Sequence, residues 1–236
     1  KYLAGIEAAT GSLGHGLPMG LGMALAARIR GARYRTYVVL SDGECNEGSV
    51  WEAALMAAAQ KVSSLTVFVD YNKWQATGRS NEVLGLAPLA AKWSAFGWCV
   101  HDIDGHDFAA IEAAVASTDE LGRPKVIIAN TVKGKGVSFM EDDNNWHYRI
   151  PSADEVRKAA SELAKRINNG IARLEQTEYW PAELTTTGYS LPTISTYNSY
   201  ANSLFRDNAL ALGYEPEAAL LTDSSAYQLA KKVVLN

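Results

Sequence analysis

Two polar residues of the kind that binds hard metal ions each follow an apolar run of the chain. Asp42 stands in an Asp-Gly turn directly after the run 37–40, and Asn72 closes the tripeptide Asp70-Tyr71-Asn72 after the run 65–69. The 30 positions from Asp42 to Asn72 leave room for a helix and a second strand. Such a βαβ unit brings both loops to the same carboxyl edge of a parallel sheet. Carboxylate and amide oxygens are ligands that Mg²⁺ and Ca²⁺ prefer, so the sequence predicts a divalent cation site at this edge.

Taken one at a time, both residues have a simpler structural explanation. An Asp-Gly pair is common in tight turns, and Asn often stabilises a turn through its own side chain. Neither residue alone would indicate a binding site. Their order and spacing together favour the metal-binding interpretation.

The elements that would position these residues follow from the apolar pattern. Short, continuous apolar runs are typical of parallel strands that are covered on both faces. Longer segments with helical character separate them, and these end at Gly31 and Gly97 or begin at a cap such as Asp107. The alternation predicts an α/β fold, doubly wound, with a mainly parallel sheet and helices on both faces. The predicted helices are 17–30, 50–61, 87–96, 108–117 and 152–174, and the predicted strands are 37–40, 65–70, 98–103 and 124–130.

The composition excludes several classes of partner. The chain of 236 residues is 47% apolar and 20% charged, with a net charge of -4. This charge gives no attraction for nucleic acid or for an anionic membrane surface, and no apolar run reaches the ~18–20 residues that span a bilayer. The two cysteines, Cys45 and Cys99, lack metal-ligand spacing and fit a reducing compartment. We therefore expect a cytoplasmic protein without nucleic-acid or membrane partners.

The stretch 41–78 resembles the thiamine-diphosphate motif of the transketolase superfamily. That motif begins with Gly-Asp-Gly, carries acidic residues shortly after and ends in a strand that terminates at Asn. The matching residues occur here in the same order and spacing, with Ser41 in place of the first Gly; they are Asp42-Gly43, Glu47-Gly48, Glu52-Ala53, Asp70 and Asn72. Upstream, the segment 11–16 (GSLGHG) resembles the TG-x-LG-[QH]-G segment of the same family.

The resemblance implies how the cofactor and its metal ion are held. The metal ion is Mg²⁺, for which Ca²⁺ can substitute, and its ligands are the side chains of Asp42 and Asn72 and the backbone carbonyl of Trp74. The backbone N–H of Gly43 binds a phosphate, because no side chain blocks its approach. Leu13 packs against the aminopyrimidine and Ala76 against the thiazolium. The cofactor-binding residues implied by the match are Gly11, Leu13, Gly43, Glu44, Asn72, Trp74, Ala76 and His147.

Four residues are implied to take part in catalysis. In the family pattern, the acids matching Glu47 and Glu52 lie at the interface between subunits and connect to the partner's cofactor-activating carboxylate. Their alternative role is to complement the dipole at a helix N-terminus. His15 faces the substrate channel or, alternatively, hydrogen-bonds between loops. His147 matches a histidine that contacts diphosphate and substrate, and its alternative is an exposed loop residue.

The resemblance also implies that this chain holds only part of an active site. Residues 1–174 match the diphosphate-binding domain, which we expect to continue upstream of Lys1, and residues 175–236 form an extension of unknown role. The glutamate that activates the cofactor belongs to a pyrimidine-binding domain, and 175–236 contain no convincing copy of it. The implied partner is a separate C-terminal, pyrimidine-binding subunit, in a heterotetramer.

The implied activity is the transfer of a two-carbon ketol unit from a ketose-type donor to an aldehyde acceptor. Two alternatives stay open at this point. The chain could belong to another thiamine-diphosphate enzyme, either a deoxyxylulose-phosphate synthase type or a 2-oxoacid dehydrogenase α chain. It could also be a non-catalytic partner subunit.

Overall fold

The computed structural model describes residues 5–174 and 176. It divides into two compact units, one up to Pro151 and one from Ser152. Most of the described part of the second unit is helix α6, Ala153–Leu174, which agrees with the predicted helix 152–174. The extension 175–236, apart from Gln176, lies outside the described residues, and so do the helices expected at 200–212 and 225–234. The domain boundary at residue 174 stays a prediction.

Four parallel strands form the sheet of the first unit. They are β1 (Thr36–Ser41), β2 (Leu65–Tyr71), β5 (Cys99–Asp104) and β6 (Lys125–Asn130), in the spatial order β1-β2-β6-β5. A separate two-stranded antiparallel hairpin is made by β3 (Trp74–Gln75) and β4 (Gly78–Arg79). All four sheet strands were predicted, whereas the short hairpin was not.

Five α-helices belong to this unit, of which α1 precedes β1 and the other four lie between strands along the chain. They are α1 (Gly16–Arg30), α2 (Gly48–Ala59), α3 (Ser80–Val83), α4 (Leu89–Ala95) and α5 (Phe108–Ala116). The predicted ends are confirmed at two caps. Gly31 takes the left-handed conformation after α1, as expected of a C-terminal glycine. Asp107 accepts hydrogen bonds from the first-turn N–H groups of α5, which is the usual action of an N-cap.

Helices lie on both faces of the sheet, as the sequence predicted, although Tyr37 and Val39 of β1 are 50% and 72% exposed on the second face. On one face, residues of α1, α2 and α4 pack with alternate strand residues such as Val38, Val67 and Val126 into one apolar core. On the other face, the buried side chain of Lys125 donates to three carbonyls at the end of α5, those of Ala114, Val115 and Ser117. The doubly wound arrangement is therefore confirmed.

Aromatic rings join α2 and α4 at the centre of this core. The Trp93 ring lies 5.1 Å from that of Trp51 and 4.9 Å from that of Trp98. Trp98 donates its indole N–H to the Ala54 carbonyl of α2 at 2.9 Å. The indole N–H of Trp93 is buried and has no acceptor among the described residues. Trp93 and Trp98 are both fully buried members of the core.

The two tryptophans allow a matched test of this core. Replacing either by Phe leaves a cavity of similar size, but only Trp98→Phe also removes a hydrogen bond. We expect Trp98→Phe to lower the free energy of unfolding by about 1 kcal/mol more than Trp93→Phe. Equilibrium denaturation in urea measures both variants. Equal losses would show that the Trp98–Ala54 bond contributes nothing net.

Candidate functional site

The loops after β1, β2 and β6 meet at the carboxyl edge of the sheet. Ser41 pairs with Asp70, and Asp70 pairs with Ala129, so the three strands end at the same level. The hydroxyl of Thr131, just after β6, donates to the Asp70 carboxylate. The Asn72 amide also donates to Asp70, at 3.3 Å. The structure therefore brings the Asp42 and Asn72 loops to the common edge that the sequence predicted, while their metal-binding roles stay predictions.

The carboxylate of Asp42 is fully buried, with 0% of the residue exposed. One oxygen accepts from the Gly43 N–H at 2.9 Å and the other from the Ser80 hydroxyl at 2.7 Å. The backbone N–H of Lys73 is a third donor. Burial raises the pKa of Asp42 above its ordinary value, because loss of hydration outweighs these hydrogen bonds. An ionised carboxylate in this place would be stabilised by a bound cation.

The turn from Asn72 to Trp74, called here the Asn72 turn, is held by hydrogen bonds of its backbone groups. The Asn72 side-chain oxygen accepts from the Trp74 N–H at 2.9 Å, and Lys73 between them has a left-handed φ of 68°. The Lys73 carbonyl accepts from the Ser80 N–H at 3.0 Å, which closes the turn onto the far end of the hairpin. An amide oxygen has a second lone pair, so the Asn72 oxygen retains capacity for another partner.

The hairpin lies over the Asp42-Gly43 turn. A Cβ added at Gly43 would meet side-chain carbons of Gln75 at 3.6 and 3.8 Å. The Gln75 amide nitrogen is buried and has no acceptor among the described residues. A buried, unpaired donor is costly unless a ligand satisfies it. Its place beside the Asp42-Gly43 turn fits a site that receives an anionic oxygen, such as that of a diphosphate.

The glycine-rich segment 11–16 is docked against the same loop. Gly14 donates its N–H to the Glu44 carboxylate at 3.3 Å, and Ser41 donates to the other oxygen of Glu44 at 2.9 Å. Ser49 donates its hydroxyl to the Gly14 carbonyl at 2.9 Å. Gly14 has a φ of 77°, and a Cβ there would lie 2.5 Å from the Cβ of Glu47. Only glycine satisfies both the conformation and the close approach.

The remaining predicted residues lie in more open positions. Leu13 is 55% exposed, and Gly11 and His15 are exposed beside it. The His15 ring is bonded to the Leu13 carbonyl at 3.0 Å. Glu47 is half-buried at the start of α2, where its side chain makes no cap hydrogen bond, and Glu52 is exposed on that helix. These open positions suit contact with a cofactor or a partner protein, and the roles stay predictions.

His147 lies in a segment that reaches back to the hairpin. It ends the 3-10 helix Asn144–His147 and is exposed, with its ring 4.6 Å from that of Tyr148. Asn144 in the same turn donates its amide to the Ala76 carbonyl at 3.2 Å. The side-chain oxygen of Asn144 is buried without a partner among the described residues. The segment that carries His147 is thus connected to the hairpin at Ala76.

The sequence pattern does not identify several residues of this edge. Ser80, Gln75 and Lys73 contact or cover the Asp42 turn, yet each belongs to a residue type that is common on protein surfaces. The one residue near them that could have indicated the hairpin from sequence was Gly78, because glycine suits a hairpin turn. Among the described residues, no group of three or more His, Cys, Asp or Glu side chains forms a metal cluster.

The domain family described as "Transketolase, thiamine diphosphate binding domain" matches residues 1–186 of the chain. An apulose-4-phosphate transketolase subunit of Actinobacillus succinogenes is 45% identical over 159 residues, which are 67% of this chain and 58% of that protein. The protein of the same name from Phocaeicola vulgatus is 41% identical and covers 70% of this chain and 62% of its own length. The 6-deoxy-6-sulfo-D-fructose transketolase subunit SqwG of a Clostridium species is 41% identical, with 70% and 60% covered.

The solved structures agree with the fold. A transketolase of Pichia stipitis superposes with a TM-score of 0.62 at 25% identity, over 74% of this chain and 29% of that chain. The chain spans about three fifths of the length of the curated relatives described above. None of the helices in the described ranges is both long and apolar enough to cross a membrane.

The docking of the glycine-rich segment is tested by Gly14→Ala. The added methyl group meets Glu47 and Ser49 and must adopt a left-handed φ, so we expect a loss of about 2 kcal/mol or more in the free energy of unfolding. Gly22→Ala is the matched control, because Gly22 is in helix α1 with nothing within 4 Å of the added Cβ. That control should gain about 0.5–1 kcal/mol from helix propensity. Urea denaturation that shows similar effects at both positions would contradict the close approach.

Proposed function

The chain belongs to the family of transketolase thiamine diphosphate-binding domains, and from this we propose that it is the diphosphate-binding subunit of a two-component transketolase-like enzyme. The proposed reaction transfers a two-carbon ketol unit from a ketose to an aldehyde. The relatives described above are named as transketolase subunits, which favours this activity over the deoxyxylulose-phosphate synthase, 2-oxoacid dehydrogenase and non-catalytic alternatives.

One structural observation carries the assignment of the site. A fully buried carboxylate, Asp42, lies at the carboxyl edge of the sheet beneath a hairpin that also presents the Asn72 turn and the unpaired amide of Gln75. This combination of an anionic ligand for a cation and an unsatisfied donor for an anion suits a metal diphosphate. Ligands of open α/β sheets bind outside the carboxyl ends of the strands, which is where these groups lie.

The residues of this chain would hold the cofactor rather than perform the bond chemistry. When bound, thiamine diphosphate supplies an electron sink for breaking and remaking a carbon–carbon bond beside a carbonyl. Asp42, the side chain of Asn72 and the carbonyl of Trp74 are the proposed Mg²⁺ ligands, since hard oxygen donors suit that ion. The Gln75 amide and the Gly43 N–H are the proposed diphosphate donors. Leu13 and Ala76 are proposed to contact the rings.

Four further residues are assigned to contacts with the substrate and with a partner. We place His147 and His15 near the diphosphate and the substrate path. His147 lies in the segment that is hydrogen-bonded to the hairpin, and His15 lies in the segment that is docked on the loop of Asp42 and Gly43. Glu47, half-buried beside Gly14, and Glu52, exposed on α2, are placed at the interface with a pyrimidine-binding partner subunit. The relatives are themselves named as subunits, which supports such a partner.

The names of the relatives also indicate a class of substrate. Apulose-4-phosphate carries a phosphate group and 6-deoxy-6-sulfo-D-fructose carries a sulfo group, so both are sugars with an anionic group. We propose that the donor of this enzyme is likewise a ketose with an anionic terminal group. The same electrostatic reasoning predicts cationic side chains where that group binds in the assembled site.

The metal assignment is tested by Asp42→Asn. The change keeps the size of the side chain and one oxygen acceptor, but it removes the charge that holds Mg²⁺. We expect the affinity for thiamine diphosphate with Mg²⁺ to fall by about 100-fold, as measured by calorimetric titration of the chain alone and mixed with its candidate partner subunit.

The cofactor-free chain provides the control for this variant. Because the folded state raises the pKa of Asp42, its ionised form is disfavoured by folding, and that cost is present at pH values above the folded pKa. A neutral Asn should therefore leave the cofactor-free fold at least as stable at neutral pH. Undiminished cofactor binding by Asp42→Asn would remove Asp42 from the metal site. Lost binding together with a destabilised fold would point to misfolding instead.

A further inference from the structure

A single arginine ties the hairpin over Asp42 to the loop that follows β6. Arg79 donates two hydrogen bonds to the two carboxylate oxygens of Asp142, at 2.7 and 2.6 Å. Its guanidinium lies 3.7 Å from the centre of the Trp74 ring. Trp74 in turn donates its indole N–H to Asp142 at 2.7 Å. Each of the three side chains contacts the other two, and we call this group the Arg79 clamp.

The Asp142 side of the clamp is held by its own backbone. Asp142 has a left-handed φ of 55°, and its N–H donates to the Lys133 carbonyl at 2.8 Å. At the neighbouring Gly134, an added Cβ would lie 2.4 Å from the Met140 carbonyl oxygen, so the loop is closed tightly on itself. The loop therefore presents the Asp142 carboxylate in a defined position.

The charges of the clamp persist over the physiological pH range. The hydrogen bonds from Arg79, and then that from Trp74, lower the pKa of Asp142 to about 2. Asp142 and Arg79 are consequently both ionised wherever the protein is expected to work. A bidentate pair between arginine and a carboxylate also fixes the relative orientation of both groups.

The clamp holds both ends of the hairpin, next to the groups that contact the Asp42-Gly43 turn. Arg79 directly precedes Ser80, a fully buried residue whose hydroxyl donates to Asp42 at 2.7 Å and whose N–H donates to the Lys73 carbonyl. Trp74 at the other end donates its backbone N–H to the Asn72 side chain. Movement of Trp74 would therefore displace the Asn72 turn, and movement of Arg79 would displace the contact between Ser80 and Asp42.

The exposure of the pair argues against a role in stability alone. The side chains of Arg79 and Asp142 are 37% and 51% exposed, and ion pairs at such positions contribute little to global stability. The arrangement does define one geometry, because two parallel hydrogen bonds and a ring stack must be satisfied together. That property is useful where the position of a backbone carbonyl matters.

We propose that Arg79 and Asp142 are positioning residues that hold the Trp74 carbonyl and the Asn72 amide in the arrangement that binds the metal diphosphate. The identity of that ligand rests on the proposed function, whereas the clamp itself is a feature of the cofactor-free chain. The clamp also couples the Asp42-Gly43 turn to the segment between Lys133 and His147. Loss of the clamp would loosen both.

The test uses three single variants of the full chain. Arg79→Ala removes the clamp. Asp142→Asn removes the charge and the acceptor of one of the two Arg79 hydrogen bonds, while Asn tolerates a left-handed φ and keeps an acceptor for the Trp74 indole. Arg123→Ala is the matched control, since Arg123 donates to both carboxylate oxygens of Asp119 in the segment before β6, at the opposite end of that strand from the site.

Three measurements are made on each variant: hydrogen exchange, calorimetric titration and the midpoint of thermal unfolding. Hydrogen exchange of the cofactor-free chain reports the protection of the Trp74 and Ser80 amides. Calorimetric titration at a fixed concentration of thiamine diphosphate, with the candidate partner subunit present, gives the Mg²⁺ concentration for half-saturation. A purely structural role would lower the thermal midpoint without a selective change in the Mg²⁺ requirement.

We expect Arg79→Ala to speed exchange at both amides and to raise the half-saturating Mg²⁺ concentration about tenfold. Asp142→Asn should change both quantities in the same direction by a smaller factor, and Arg123→Ala should change neither. Unchanged hydrogen exchange in Arg79→Ala would show that the clamp does not hold the hairpin in place. Faster exchange with an unchanged Mg²⁺ requirement would overturn the positioning role. A wild-type chain that binds no thiamine diphosphate would overturn the proposed function, while the exchange data would still decide on the clamp.

Discussion

A carboxylate buried away from water is the constraint on which this end of the sheet depends. Asp42 has lost its hydration, and a buried charge is tolerated only when hydrogen bonds or a cation compensate for that loss. Three donors come from Gly43, Lys73 and Ser80. Two of them belong to the segment that forms the hairpin and its flanking turn. The hairpin, the Asn72 turn and the Arg79 clamp are therefore parts of one arrangement that surrounds this group.

The sequence predicted the frame of this arrangement because the frame is encoded locally. Parallel strands covered on both faces leave continuous apolar runs, such as those of β2 and β6, and an apolar run followed by a polar residue marks a carboxyl edge. Caps are equally local, as Gly31 and Asp107 show. The convergence of the Asp42 and Asn72 loops then followed from the right-handed βαβ rule. The family resemblance added the roles, which residue types alone could not provide.

The parts of the edge that the sequence did not predict depend on contacts between distant residues. Arg79 and Asp142 are 63 positions apart, and no periodic pattern connects an arginine in a short hairpin with an aspartate in a loop. Ser80 is ordinary as a residue type, and its importance comes only from its burial against Asp42, 38 positions away. The left-handed conformations of Lys73 and Asp142 are likewise imposed by their surroundings, since nothing in either residue type demands them.

We propose that Asp42, Asn72 and the Trp74 carbonyl bind one metal ion together with the diphosphate of the cofactor. The most direct measurement is anomalous diffraction from a crystal grown with thiamine diphosphate and Mn²⁺ in place of Mg²⁺. We expect one strong anomalous peak at the carboxyl edge, at about 2.1–2.3 Å from an oxygen of each of these three residues, as for a small divalent ion. A cofactor bound without such a peak, or with the metal ion on other residues, would contradict it.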